Sequence, residues 1–459
     1  MPIVSTSLPH HMWRPSARPA RWWERYAPSP SRSRSEQILK RLIWVYWLLW
    51  LSEGALRKWL FPAFSGPLVL VRDPVALLIL LVALAQWHWR LNIWTIVLWV
   101  MSLIGFASTI ANQVSPWVGL VGLRTLGLHL PLVFVFANVL NRDDIERIGN
   151  LAIDLSMPMA LLMLLQFRAD PDSFINTGAG VDASQIGGVV DGKIRAPGVF
   201  SFISGAAQFY SLVAAYWFGK LGDMKVKLGF RMIFAGMGIA IAINVAISRS
   251  LAGAVAIVFI AFVVTVFKSG ATFRKLASLA AMGAMCFGLV IGTRLLQEGG
   301  EALYLRFVSA NDIEGSIVGR VLSSFIVPAD IIKSAGVAGY GIGVGTNMGA
   351  ALLGRRDEFL LAEAEWQRVV LEMGVILGFG FILWRIMLLF QIVGRAILEW
   401  GRGDILPILL IAAGGLTLVN GQTGQPATLG FLVISIGAAF GACNKPLTRI
   451  RPLPIQKKN

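Results

Sequence analysis

The hydrophobic pattern divides the chain into long apolar stretches separated by polar segments. Twelve stretches have roughly 17–25 residues, the length that a helix needs to cross about 30 Å of hydrocarbon. They are residues 42–60, 68–87, 92–111, 118–140, 149–167, 198–218, 230–247, 250–267, 276–293, 367–390, 405–421 and 427–443. The short alternating segments typical of membrane strands are missing from the pattern. The pattern therefore predicts an all-α polytopic membrane protein rather than a barrel.

The polar segments suggest how the chain is organised. An Arg-, Pro- and Ser-rich start without an apolar core predicts a disordered tail and no cleavable signal peptide. The predicted units are a basic tail at 1–37, nine helices in 38–293 with a polar loop at 168–197, a large polar loop at 294–366, three helices in 367–443, and a second basic tail at 444–459.

Composition and charge agree with this class and orient the chain. Hydrophobic residues make up 56% of the sequence, charged residues 14%, and the mean hydropathy is +0.68, which excludes a soluble globular protein. With both termini in the cytoplasm, more than half of the 41 basic residues lie in inner loops and tails, as the positive-inside rule requires. The net charge of +16 is then explained by topology, which disfavours a nucleic-acid partner. The loop at 294–366 is predicted to face outward.

Five arginines are predicted at or near span ends on the outer side: Arg195, Arg249, Arg306, Arg320 and Arg368. Basic residues are normally concentrated on the inner side, so arginines on the outer side are unusual. Placing an unpaired arginine at membrane depth also costs a few kcal/mol of free energy. A guanidinium group binds phosphate through two parallel hydrogen bonds and keeps its charge. The set therefore predicts a binding site for a lipid diphosphate. The alternative for any one of them is snorkelling to the interface or pairing with a nearby carboxylate.

A general base on the outer side would have to be a carboxylate, because none of the four histidines is predicted there. Glu363 and Glu365 lie within about one helical turn of Arg368 and are the candidate catalytic carboxylates, together with Arg320 as a catalytic cation. Glu365 and Arg368 are three residues apart, so a plain intrahelical ion pair is an equally good interpretation.

Two further motifs are candidates for binding a metal ion or a nucleotide. Asp170-Pro171-Asp172 has the spacing of metal-dependent sugar transferases, but this spacing is common and stands in a loop. The glycines of 339–345 lack the strand–helix context of a nucleotide-binding loop, so we expect a bending, exposed backbone that lets a bulky substrate approach. No metal or other cofactor is predicted.

Four short pieces resemble one family in order and spacing. Arg195-Ala196-Pro197-Gly198-Val199-Phe200 resembles an Arg-x-x-Gly-Thr-Phe element that follows the first outer loop. The others are Ser248-Arg249-Ser250, similar to a Ser-Arg-Gly turn, Tyr340-Gly341-Ile342-Gly343, similar to a Gly-x-Gly segment, and Glu372-Met373-Gly374, similar to a Glu-Leu-Gly. Over roughly residues 190–390 the chain thus resembles the O-antigen polymerase and O-antigen ligase superfamily of bacterial membrane glycosyltransferases.

The resemblance implies a helical GT-C-like fold in the bacterial cytoplasmic membrane and an undecaprenyl-diphosphate-linked oligosaccharide as donor. It also implies an acceptor glycan and possible chain-length regulator and flippase partners. The ligase branch carries a His-Asn pair where this chain has Glu363 and Ala364, which shifts the expectation towards polymerisation of a polysaccharide. Ligase-type transfer to another acceptor remains open. A transporter or flippase of a lipid-linked or anionic solute is the alternative from another class.

Overall fold

The computed structural model describes residues 28–29, 33–86, 91–179, 189–190, 193–222, 229–268, 300, 319, 322–354, 362 and 364–444. Apart from one small hairpin, the regular structure in this part is helical. The α-helices are α1 (Arg34–Ala55), α2 (Asp73–Ala85), α3 (Ile93–Ala111), α4 (Pro116–Leu123), α5 (Leu132–Val139), α6 (Arg142–Arg168), α7 (Ile203–Gly222), α8 (Phe230–Val245), α9 (Arg249–Lys268), α10 (Ala329–Ala335), α11 (Asn347–Leu352), α12 (Glu365–Gly401), α13 (Leu406–Asn420) and α14 (Pro426–Asn444).

Shorter elements connect some of these helices. Leu56–Leu60 and Arg124–His129 are π-helical, and Pro62–Phe64, Pro67–Leu70 and Phe174–Asn176 are 3₁₀-helical. Strands β1 (Val189–Val190) and β2 (Lys193–Ile194) form an antiparallel pair in which Val189 faces Ile194.

Seven helical stretches in the described part are long and apolar enough to cross a membrane. They are Pro67–Ala85, Ile93–Ala111, Pro116–Val139, Arg142–Arg168, Arg249–Val266, Glu365–Gly401 and Pro426–Asn444. Helices α8 and α13 are apolar but shorter. Each predicted span coincides with helical structure except 276–293, which lies outside the described residues. The chain is therefore an all-α membrane protein in its described part.

Burial separates a central helix from peripheral ones. In the most apolar stretch of α14, 89% of the residues are buried. In the corresponding stretches that contain α2 and α3, only 28% and 33% of the residues are buried. In α2 the side chains of Ile79 and Ala83 face the core, while Leu77, Leu78 and Leu81 are exposed. Apolar outer faces of this kind require apolar surroundings, as the hydrocarbon of a bilayer provides.

The chain direction defines two ends of the bundle. At one end, here called the tail end, Lys40 of α1 pairs with Asp144 of α6 at 2.9 Å, and Arg142 pairs with Asp404 before α13 at 2.6 Å. Helices α1, α6 and α13 therefore begin at the tail end. The opposite end, here called the site end, is where these helices finish and where α7, α9 and α12 begin.

Helix α12 is interrupted at Gly374, whose φ of 75° favours glycine. The interruption leaves backbone groups of α12 without helical partners, and the glycine-rich segment 336–345 supplies them. The three hydrogen bonds run from Tyr340 N–H to Leu371 O at 2.8 Å, from Gly341 N–H to Glu372 O at 2.9 Å and from Val375 N–H to Gly336 O at 3.0 Å. Irregular backbone at membrane depth is tolerated where protein groups satisfy it in this way.

The same segment corrects an expectation from the sequence. The glycines of 339–345 were expected to expose backbone to a substrate, but Ile342 is fully buried. A Cβ on Gly343 would lie 2.1 Å from the carbonyl oxygen of Val118 in α4, so only glycine allows this contact. Residues 341–345 thus pack between α4 and α12, whereas Val337 and Tyr340 of the same segment are exposed.

Candidate functional site

A cavity of about 760 Å³ lies among α7, α9 and α13 at the site end. Arg195, just after β2, and Arg249, the first residue of α9, both line it. Two of the five arginines proposed from the sequence therefore meet at one place, although they are more than fifty positions apart.

The rest of the lining combines hydroxyl groups with apolar walls. The polar side chains are Gln208, Ser204, Ser211, Ser248, Ser250, Ser324 and Thr417. Ala254 and Ile257 of α9 and Leu416 of α13 contribute apolar surface, and Ile257 and Leu416 are exposed. The cavity thus combines polar side chains with apolar surface from two helices.

Two helix N-termini strengthen the positive potential of the cavity. Ser204 stands in the first turn of α7, and Arg249 and Ser250 stand in the first turn of α9. A helix N-terminus presents unpaired N–H groups and a partial positive charge, so it favours anions. Together with two guanidinium groups, this arrangement suits a ligand with several negative charges.

The turn that presents Arg249 is short and conformationally constrained. Ile247, fully buried, has a φ of 45°, a left-handed value that is costly for a β-branched residue. The hydroxyl groups of Ser248 and Ser250 are 2.8 Å apart, and Leu251 N–H donates to Ser248 Oγ at 3.4 Å. A tight turn is present near the expected place: α8 ends at Val245, the turn occupies 246–248, and Arg249 and Ser250 already belong to α9.

The segment that presents Arg195 is also closely held. Gly198 has a φ of 63°, and a Cβ there would lie 2.5 Å from Met159 Sδ of α6. The side-chain amide of Gln166 accepts from Gly198 N–H at 2.8 Å and donates to Gly198 O at 3.1 Å. Phe200 is 2% exposed and packs against Trp50 with ring centroids 5.3 Å apart.

A second cluster of charged residues lies at the start of α12, outside the lining of the cavity. Glu365 is 2% exposed, and Arg368 contacts both of its carboxylate oxygens at 2.9 Å. Arg385 Nη1 and Thr423 Oγ1 donate to Glu365 Oε1 at 2.9 and 2.7 Å. Arg368 also binds Glu372 at 2.6 Å, and Glu372 accepts from Gly345 N–H at 2.7 Å. Two carboxylates and two guanidinium groups thus compensate one another in the core.

Arg385 connects this cluster to the cavity wall. Its guanidinium group donates to the carbonyl oxygens of Leu418 at 2.6 Å, Thr417 at 3.1 Å and Gly421 at 2.8 Å. These carbonyl groups belong to the C-terminal end of α13, which carries partial negative charge. Because Thr417 lines the cavity, Arg385 offsets negative potential beside an otherwise positive site.

The structure therefore divides the residues proposed from the sequence. Arg195 and Arg249 share the cavity, whereas Glu365 and Arg368 form the intrahelical ion pair that the three-residue spacing allowed. Arg306, Arg320 and Glu363 lie outside the described residues. Arg385 was not among the residues proposed from the sequence, although a charge inside the apolar span 367–390 is itself a signal of a functional or paired group.

A further buried network lies among α1, α2 and the π-helical turn after α4. Tyr46 Oη and Asp73 Oδ1 each lie 2.9 Å from a ring nitrogen of His129, and Arg124 binds Asp73 at 2.6 and 2.7 Å. Arg72 donates to Glu53 at 3.1 Å. Tyr46, Arg72 and His129 are thus buried in the bundle, and each has a polar partner.

The Asp170-Pro171-Asp172 motif forms a local turn in the structure. Asp172 N–H donates to Asp170 Oδ1 at 3.0 Å, a contact between neighbouring residues that organises the backbone. Among the residues that the structure describes, no group of three or more His, Cys, Asp or Glu side chains is arranged to hold a metal ion.

Comparison with protein-family models, with curated proteins and with solved structures gave no match to this chain.

Proposed function

We propose that this chain is a polysaccharide polymerase that transfers a glycan from an undecaprenyl-diphosphate carrier to a hydroxyl group of an acceptor glycan. In this proposal the site end faces the outer side of a bacterial cytoplasmic membrane, both termini are cytoplasmic, twelve helices span the bilayer, and the fold is GT-C-like. Chain-length regulator and flippase proteins would be its partners, and no metal or other cofactor takes part.

The observation that carries the proposal is the pairing of Arg195 and Arg249 in one cavity at the N-termini of α7 and α9. A lipid diphosphate needs cationic or hydrogen-bonding groups for its head and apolar surface for its chain. The arginines and hydroxyl groups offer the first, and Ile257 and Leu416 on the flank of the bundle offer the second. A soluble nucleotide sugar would not need the apolar flank.

The proposed reaction breaks the bond between the anomeric carbon and the diphosphate oxygen and forms a bond from that carbon to the acceptor oxygen. Negative charge grows on the leaving diphosphate, and prearranged guanidinium groups stabilise it without reorganisation. The acceptor hydroxyl gives its proton to a carboxylate. Glu363 and Glu365 were the candidates from the sequence, and the hydrogen bonds that Glu365 accepts in the core favour a structural part for it.

Lipid-linked glycans from a deletion strain test the proposal directly. If the chain is a polymerase, strains that lack it should accumulate single repeat units on the lipid carrier and should lack the polymer. Ligase-type activity predicts a different result, namely complete polymer that remains on the carrier because transfer to the final acceptor is missing.

A transporter or flippase of a lipid-linked or anionic solute is a second candidate, and the interruption of α12 at Gly374 favours it, since interrupted helices commonly form transporter sites. A glycosyltransferase breaks the bond between the glycan and the diphosphate, whereas a transporter leaves it intact. Purified protein in liposomes should release free undecaprenyl diphosphate if it is a glycosyltransferase, and should only move intact substrate across the bilayer if it is a transporter.

A further inference from the structure

A buried lysine holds the segment that carries Arg195. Lys58 lies in the π-helical turn after α1 and is 1% exposed. Its ammonium group donates to the carbonyl oxygen of Gly198 at 2.7 Å and to that of Phe200 at 2.8 Å. Both carbonyl groups belong to residues 195–200, here called the Arg195 segment.

The amino group of Lys58 directs its hydrogen bonds to these two carbonyl groups. Among the described residues it forms no ion pair with a carboxylate, and its ammonium group lies 4.4 Å from the centre of the Trp59 ring. Burying an ammonium group costs free energy, which an apolar side chain of the same length would avoid. Packing alone therefore does not account for a lysine here, whereas fixing two carbonyl groups does.

Other contacts also fix the position of the Arg195 segment. A Cβ on Gly54, four residues before Lys58, would lie 2.3 Å from Val199 O, so α1 and the segment touch along their backbones. Gln166 holds Gly198 from α6 through both its N–H and C=O groups. Arg195 projects into the cavity from the start of a segment whose following residues are fixed on two sides.

We propose that Lys58 is a positioning residue that fixes the Arg195 segment and thereby sets the position of the Arg195 guanidinium group in the cavity. The hold on the segment follows from the contacts alone, while its consequence for diphosphate binding rests on the proposed function. The two parts are tested by separate measurements.

Hydrogen–deuterium exchange on the purified full-length protein tests the hold on the segment. Lys58→Met should speed exchange in a peptide covering 195–201, which includes the Gly198 amide bonded to Gln166 and the Phe200 amide bonded to Pro197 O. Lys58→Gln keeps one donor group and should give an intermediate rate. Lys40→Met removes an equally buried lysine from the tail end of α1, where it pairs with Asp144, and should leave this peptide unchanged.

Unchanged exchange at 195–201 in both Lys58 variants would overturn the hold on the segment. Faster exchange that is equally large in α14, the central helix, would also overturn it, because that pattern means general loosening of the bundle.

Binding of undecaprenyl diphosphate in detergent tests the consequence for the cavity. Lys58→Met should weaken binding about tenfold, because a displaced Arg195 guanidinium group would lose part of its hydrogen bonding to the diphosphate. Adding Lys58→Met to Arg195→Ala should cause little further loss, since Lys58 acts through Arg195. Fully additive losses would contradict the positioning role. No binding by the unaltered protein would contradict the proposed function instead, and the exchange measurements would then decide alone whether Lys58 holds the segment.

Discussion

At the scale of single residues, two arginines from distant parts of the chain line one cavity, and each is presented by its own local structure. Arg249 follows the constrained turn at Ile247, and Arg195 precedes a segment fixed by Gln166 and Lys58. Their positions near the ends of spans could be predicted, because the hydropathy pattern locates those ends. Their meeting could not, since it depends on how α7 and α9 pack.

The first prediction concerns Arg249. Arg249→Ala should lower polymer formation about 100- to 1,000-fold, because a transition-state donor is lost, while the protein stays inserted and abundant. Arg249→Lys should restore activity only in part, because a single ammonium group cannot form the two parallel bonds of a guanidinium group. Arg402→Ala, at an exposed tail-end position, is the matched control and should stay close to normal. Polymer yield from complemented deletion strains measures all three.

The second prediction separates a structural Glu365 from a catalytic one. Glu365→Gln removes the charge that compensates Arg368 and Arg385, so it should destabilise the protein by about 3–5 kcal/mol. Thermal unfolding in detergent should show a clear drop, and membrane abundance should fall. A variant with unchanged unfolding temperature and no activity would instead support the role of a base that the sequence suggested.

At the scale of elements, the apolar stretches predict where the helices lie but not where a helix is interrupted. Hydropathy averages over a whole span, so it does not register a single residue with positive φ such as Gly374. It also placed the glycine segment 339–345 in a polar loop, although residues 341–345 pack inside the bundle against α4 and α12. Close backbone contacts depend on the partner helices, which a local pattern does not contain.

The third prediction compares two glycines of α12. Gly374→Ala should destabilise the protein, because φ is 75° and a Cβ would lie 2.1 Å from Val337 O. Strain of this kind typically costs about 1–3 kcal/mol before any clash is counted. Gly394→Ala has open space around its Cβ and should be neutral or stabilising by up to about 1 kcal/mol. Equal unfolding temperatures for the two variants would show that the interruption at Gly374 is not required.

At the scale of the whole molecule, the segregation of basic residues predicts the orientation of the bundle in the membrane. Residues of the tail end belong to segments predicted inside. The cavity is lined by Arg195, Arg249 and Ser324, which are predicted outside or at the outer ends of spans, and by residues of the adjoining spans. The class and the approximate helix positions were predictable because bilayer thickness fixes helix length. The cavity was not, because its lining comes from segments scattered between residues 195 and 431.

The fourth prediction tests this orientation. In a background without Cys286 and Cys443, a cysteine at exposed Asp330 should react with an impermeant thiol reagent in intact cells, and one at exposed Arg402 should not. Permeabilised cells should label both, which controls for reactivity. Labelling of Arg402→Cys alone in intact cells would place the cavity on the cytoplasmic side and remove the basis of the proposed reaction.

The central claim is that Arg195 and Arg249 form the diphosphate site of a glycan-transferring enzyme. The most direct measurement reconstitutes the purified protein in liposomes with an undecaprenyl-diphosphate-linked oligosaccharide and follows the products over time. The account predicts longer glycans together with free undecaprenyl diphosphate, both lost in the Arg195→Ala and Arg249→Ala variants. An unaltered oligosaccharide, or product formation that persists at the normal rate in both variants, would contradict it.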